Sequence, residues 1–134
     1  MAGETHSNAP VHVPTPGLSS PGGHYSHVTV ANGFVFVSGQ LPVTSTGVRL
    51  TDGTFAEQTH QVLDNVGHAL RAAGSDIDRL VQVRVYIDDI ENWPEFNRIY
   101  SRWAGAARPS RAIVPTGPLH FGLKVEVEAV AVCR

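Results

Sequence analysis

Cysteine is almost absent from this chain: Cys133 is the single one among 134 residues. A lone thiol closes no internal disulfide, so a reducing compartment, the cytoplasm, is the expected one. Charge is also sparse. Asp, Glu, Lys and Arg make up 16% of the residues and the net charge is −2. Such a balance argues against association driven by nucleic-acid phosphates or an anionic membrane surface. No apolar run approaches the roughly 20 residues that span a bilayer, and the first residues lack the apolar core of a signal peptide. The glycines are scattered; none of their spacings makes a phosphate-cradling loop. A length of 134 residues suits one domain with a real core.

What is present falls into two parts. Residues 1–17 are dense in Pro, Gly, Ser, Thr and His and read as an extended arm, with a short strand at Val11–Val13. Residues 18–134 read as the domain. His27–Val30 and Phe34–Val37 flank Asn32-Gly33, the dipeptide of a two-residue hairpin turn. Thr46-Gly47 and Asp52-Gly53 mark turns around Val48–Leu50. Thr54 and Glu57 make a capping box opening a helix whose apolar stripe is Thr59, Val62, Leu63, Val66, Ala69, Leu70 and Ala73, closed by Gly74. Val81, Val83, Val85 and Ile87 alternate with polar residues as a strand buried on one face. Pro94 opens a second helix with Phe96, Ile99, Tyr100 and Trp103 inward, and it ends before Gly105. Ile113-Val114 and Lys124–Val132 are further strands. The order predicts an α+β fold with two helices on one face of a mixed sheet. Strands so rich in valine call for cover on both faces, and self-association would supply the second cover as a valine-lined contact.

Three sets of residues carry candidate chemistry. Arg108-Pro109-Ser110-Arg111 presents two guanidinium groups, each a planar donor fork suited to a carboxylate. Arg111 is the better candidate, because it directly precedes the apolar, buried-looking Ala112–Val114. Glu126 and Glu128 share one face of the last strand, as a solvent face or as carboxylates lining a cleft, where one could orient water or carry a proton. Seven histidines invite a metal reading, but His24 with His27, and His60 with His68, lack a third ligand at chelating distance, and no metal site is expected. Cys133 has no histidine nearby in sequence to activate it.

Taken together, Tyr25-Ser26, Phe36-Val37-Ser38-Gly39-Gln40-Leu41-Pro42, Thr46-Gly47, Gln58-Thr59, Asn65, Ala72-Ala73-Gly74, Asn97, Tyr100, Arg108-Pro109-Ser110-Arg111 and Val125–Ala131 resemble the RidA/YjgF family, the reactive-intermediate deaminases, over about residues 18–132. The resemblance implies a chorismate-mutase-like fold assembled as a homotrimer, its sheets lining a central barrel and its clefts lying between subunits. It also implies hydrolytic deamination of reactive 2-enamino and 2-imino acids to 2-oxo acids and ammonia, without a cofactor. Arg111 then matches the residue that grips the substrate carboxylate, and Glu126 the one that positions water. Tyr25, Ser38, Gly39 and Asn97 match residues lining the cleft, with Tyr25 close to the chemistry. Two positions depart from the pattern. His24 stands where a proline is common, and Ile113 stands where archetypal members carry cysteine. Both bear on which substrate is taken. Two other functions share these residues or this resemblance: non-catalytic binding of small carboxylates in the same cleft, as a sensor or biosynthetic accessory, and an endoribonuclease that inhibits translation. The second is disfavoured by the net charge of −2 and 7% aromatics.

Overall fold

Asn32 and Gly33 both adopt positive φ, 50° and 80°, the conformation that a two-residue hairpin loop demands and that these residue types tolerate best. In the computed structural model, which describes residues 9–134, this turn joins β2 (Val28–Ala31) to β3 (Phe34–Gln40). The chain continues through α1 (Phe55–Ala72), β4 (Leu80–Ile87), α2 (Trp93–Ala104), β5 (Ser110–Pro115) and β6 (Val125–Val132). With the short β1 (Val11–His12) they form one six-stranded sheet in the order β1-β2-β3-β6-β4-β5. Every pairing is antiparallel except β4–β5, so α2 serves as the crossover between parallel neighbours. The arm read over residues 1–17 lies outside the described residues as far as residue 8. Beyond it, Val11 pairs with Val30, His12 with Thr29, and the Val13 amide donates to the Val28 carbonyl at 3.1 Å.

Both ends of α1 are built as the sequence predicts. The Thr54 hydroxyl accepts from the Glu57 amide while Glu57 Oε1 accepts from the Thr54 amide. At the other end the Ser75 amide reaches the Leu70 carbonyl and the Gly74 amide reaches the Arg71 carbonyl, with Gly74 at φ 74°. These two bonds and the left-handed residue define a Schellman cap. Pro94 sits in the first turn of α2 and Gly105 ends it.

The core lies between the helices and one sheet face. Val28, Val35, Val83, Val85, Ile87, Val125, Val127 and Ala131 meet Val62, Leu63, Val66, Leu70 and Phe96, all with at most 1% exposure. Full burial of such side chains is worth about 1.5–3 kcal/mol each. Buried among them is the polar Gln58, whose nitrogen and oxygen are both engaged: Nε2 donates to the Gly53 carbonyl at 3.2 Å, and Oε1 accepts from the Lys124 amide at 2.8 Å. This amide joins the start of α1 to the start of β6 and so sets the height of Glu126.

Three expectations need correction. Val81 is 42% exposed, because β4 slips register against β6 between Leu80 and Gln82 and the bulge turns Val81 outward. Ala112 and Val114 are exposed, not buried; β5 is an edge strand paired on one side only. The uncovered sheet face is also not a valine face. The fully buried valines lie beneath the helices, while the open face is mixed: it presents Phe34 and Phe36, 42% and 44% exposed, beside Val130, Val132, Arg84, Tyr86, Glu126 and Glu128.

Candidate functional site

The candidate residues fall into two groups, one around Glu126 and one around Arg111, and these two side chains leave opposite faces of the sheet. The first group grows from an irregularity in β3. Its ladder with β6 breaks between Val37 and Gln40, so Ser38 and Gly39 leave the regular pleat next to Glu126. The Glu126 carboxylate lies directly over the Cα of Gly39. A Cβ at residue 39 would overlap Oε2 and stand 3.1 Å from the carboxyl carbon, so only glycine admits the carboxylate here. Ser38 is spent on structure: its hydroxyl donates to the Ser26 carbonyl at 2.6 Å and its amide to the His27 carbonyl at 2.9 Å. Both bonds hold the segment that carries Tyr25.

Gly39 and Tyr25 line a cavity of about 450 Å³, together with His27, Gln40, Arg49 and Phe121. His27 forms part of its buried wall. Its Nε2–H donates to the Ser19 carbonyl at 2.7 Å, and its Nδ1 accepts from Gln40 Nε2 at 3.0 Å. Both ring nitrogens are thus engaged, the tautomer following from the network. Tyr25 stands edge-on to that ring, 5.9 Å between centroids, with half its surface free to meet a ligand. Across the floor, Asn65 of α1 donates to the carbonyls of Leu41 and Val43 at 3.0 and 2.9 Å, fixing the loop after β3.

Burial pushes the Glu126 carboxyl above the ordinary glutamate range; the His120 ring opposes this and the neighbouring Glu128 charge adds to it. Glu128 itself accepts a hydrogen bond from the Tyr86 hydroxyl, and this bond, with burial, raises the Tyr86 pKa. The two glutamates therefore differ in kind. Glu128 is engaged in a side-chain pair on the open face, whereas Glu126 is desolvated beside a bare backbone, the environment of a proton-transfer group.

The second group lies at the sheet's far edge. Arg111 on β5 pairs in register with Val83, a core residue, so its side chain points to the helix side. There Nη1 donates to Asn97 Oδ1 of α2 at 2.9 Å, and the guanidinium carbon stands 4.7 Å from the Tyr100 ring centroid. Hydrogen bond and cation–π contact fix the plane of the fork while its other N–H groups stay free. Among the described residues the ion pairs join Arg71 to Asp76, Arg98 to Glu95 and Arg134 to Asp78; Arg111 is in none of them. A second cavity, about 460 Å³, is lined by Arg111, Asn97, Tyr100 and Arg108.

The structure thus brings Gly39 and Glu126 together, sets Tyr25 and Gly39 on one cavity with Ser38 holding their segments, and separately brings Asn97 and Arg111 together. The sequence reading assigned Tyr100 only to the helix core; its face beneath Arg111 is an added role. Arg49 and Phe121 were missed, since a lone arginine in a turn and a phenylalanine before a glycine carry no pattern.

Comparison with known proteins sets these groups in context. A family model described as endoribonuclease L-PSP matches residues 18–133. Protein HMF1 of Saccharomyces cerevisiae is 36% identical over 110 residues, covering 82% of this chain and 84% of that protein. The 2-iminobutanoate/2-iminopropanoate deaminase of Homo sapiens is 33% identical over 110 residues, covering 82% and 80%. The crystal structure of E. coli TdcF with bound serine superposes with a TM-score of 0.85 at 28% identity, covering 91% of this chain and 98% of that one. No helix among the described residues is long and apolar enough to cross a membrane.

Proposed function

Since the chain belongs to the RidA/YjgF family, we propose that it hydrolyses 2-imino acids, formed from 2-enamino acids by tautomerisation, to 2-oxo acids and ammonia. The observation that carries this reading is the Arg111 fork, held by Asn97 and Tyr100 and, among the described residues, paired with no carboxylate. A small carboxylate is its natural complement. The deaminase name of the human relative and the serine bound to TdcF agree with an amino-acid-like ligand.

Arg111 and Glu126 face opposite sides of one sheet, so a site using both takes them from two copies of the chain. A closed homotrimer supplies three such clefts, each joining the Arg111 cavity of one copy to the Tyr25–Gly39 cavity of the next, with Glu126 reaching it beside Gly39. The open face with Phe34 and Phe36 and the exposed β5 supply apolar surface for that contact. In the cleft, Arg111 fixes the substrate by its carboxylate and so removes rotational freedom before attack. Glu126 orients a water and takes its proton as the water oxygen bonds to the imine carbon and the C=N pair moves to nitrogen. Glu126 returns that proton to the nitrogen, which completes the carbinolamine. In the collapse the hydroxyl gives up its own proton, carried through Glu126 to the amine, as the C=O bond of the 2-oxo acid forms and the C–N bond breaks to release ammonia. Water is the only co-reactant, and no electron is transferred. The Gly39 region and the Tyr25 hydroxyl stand where charge develops. Small acids that bind the same cleft without reacting are the second reading, which turnover separates from saturable binding. An endoribonuclease role draws less support, because a net charge of −2 does not favour association with RNA.

The test is release of ammonia and 2-oxo acid from imino acids generated in situ by an amino-acid oxidase. Wild type is expected to accelerate it and Arg111→Ala to lose the effect. Equal rates with wild type and Arg111→Ala overturn the carboxylate clamp.

A further inference from the structure

The cavity that holds Tyr25 and Gly39 has a guanidinium of its own, apart from Arg111 in the other cavity, and several contacts hold it there. Arg49 lies in the loop after β3, with its guanidinium carbon 3.5 Å from the centroid of the Phe121 ring. Both side chains line the cavity. Neither is loosely placed. Arg49 pairs with Val43 in an antiparallel bridge, the Leu50 amide donates to the Pro42 carbonyl at 3.0 Å, and the Thr44 amide to the Val48 carbonyl at 2.9 Å. Asn65 anchors the other strand of this small hairpin through the Leu41 and Val43 carbonyls.

Phe121 is fixed from the opposite side at a conformational cost. It sits at φ 61°, ψ 19°, a left-handed conformation that a bulky aromatic residue rarely adopts. The Thr51 hydroxyl donates to its carbonyl at 3.0 Å, and Gly122 continues at φ 68°. A strained backbone that turns an aromatic ring onto an arginine is a feature of a binding site, since packing alone does not require it: Phe121 is 46% exposed. Arg49 takes part in none of the three ion pairs among the described residues. It is a stacked, preoriented and chargewise unsatisfied guanidinium, much as Arg111 is on Tyr100.

We infer that Arg49, on its Phe121 platform, is a specificity residue for a second anionic group. The chain would then select 2-imino acids whose side chain ends in a carboxylate or a comparable anion, such as those derived from acidic amino acids. The inference rests on the deaminase reading for its chemistry: the α-carboxylate goes to Arg111 of the neighbouring copy, the imine carbon lies by Glu126, and the side chain runs along the cavity to Arg49. Exposure of the arginine to water limits the gain, so the discrimination expected from one charge-assisted fork is about tenfold.

The experiment compares kcat/KM for the imino acid made from glutamate with that for the imino acid made from methionine, in wild type and in Arg49→Ala, Arg49→Lys and Arg49→Glu. The ratio of the two constants is expected to fall about tenfold in Arg49→Ala and further in Arg49→Glu, with Arg49→Lys between wild type and Arg49→Ala. An equal ratio in wild type and Arg49→Ala overturns the inference. Calorimetric titration with the stable 2-oxo acids 2-oxoglutarate and 2-oxobutanoate separates the two levels of reading. If wild type turns over neither imino acid yet binds 2-oxoglutarate the more tightly, and Arg49→Ala loses that preference, the deaminase reading fails and the Arg49 subsite stands. If turnover is found and 2-oxoglutarate has no preference, the subsite fails and the deaminase reading stands.

Discussion

Arg111 and Glu126 project from opposite faces of one sheet: Arg111 is in register with the core residue Val83, and Glu126 with Tyr86 of the uncovered face. The distance between them within one chain is thus set by the sheet itself. In the proposed site, their cooperation therefore calls for a second copy.

Gly39 is the residue on which the position of the Glu126 carboxylate depends. Gly39→Ala places a methyl group where Oε2 lies, and the carboxylate, at the end of a flexible side chain, is the group that gives way. We expect at least a tenfold fall in kcat, out of the roughly 10²–10⁴ that a positioned acid–base group supplies, with a melting temperature close to wild type. A large loss of stability with kcat unchanged would show that the backbone, not Glu126, had moved.

Tyr100 combines a useful face with a hydroxyl that is buried and has no hydrogen-bond partner among the described residues. Burial, opposed by Arg111, holds its pKa above the ordinary tyrosine value, so the ring stays neutral under Arg111. Tyr100→Phe should keep KM and match or exceed wild-type stability, by up to about 1 kcal/mol, because an unpaired buried polar group is removed. Tyr100→Leu should raise KM several-fold through loss of the cation–π contact, worth about 0.5–2 kcal/mol. Denaturant melts and steady-state kinetics on the two variants check both statements.

Asn65 carries two bonds that no other side chain replaces. Asn65→Ala leaves the Leu41 and Val43 carbonyls without these donors, and a loss of about 2–4 kcal/mol is expected from urea denaturation. A loss below about 0.5 kcal/mol would mean that water takes over both carbonyls.

Glu126 gives a pH dependence whose sign is fixed by the direction of its shift. Its pKa is raised in the folded chain, chiefly by burial. The folded state therefore holds the proton more tightly than the unfolded one. This contribution is fully present below the unfolded value, and is lost as pH rises through the folded value. Glu126→Gln, which mimics the protonated form, should raise the melting temperature at pH 7 and leave it nearly unchanged at pH 4. A variant less stable than wild type at pH 7 would contradict the desolvation.

Much of the fold is legible in the sequence. Asn32-Gly33, the Thr54–Glu57 box, Gly74 and the alternation in β6 each encode a local geometry in one or two residues, and each was found where expected. Val81 was misread because a bulge shifts the alternation by one residue without changing composition. Ala112 and Val114 were misread because hydrophobicity does not tell an edge strand from a central one. At the site, Arg111 and Glu126 could be singled out, but not their placement on opposite faces, which follows from strand order. The Arg49–Phe121 pair joins residues 72 positions apart through a left-handed backbone, and no sequence period records such a contact.

The most direct test of the shared cleft is subunit mixing. Arg111→Ala and Glu126→Gln should each be nearly inactive alone, and equal amounts refolded together should regain activity. Random assembly places an intact Arg111 beside an intact Glu126 in about a quarter of the clefts, so about a quarter of the wild-type rate is expected. Light scattering on the same samples should report three chains per particle. No recovery in mixtures shown to contain both chains in one particle, or full activity in a monomer, would contradict a cleft built from two chains.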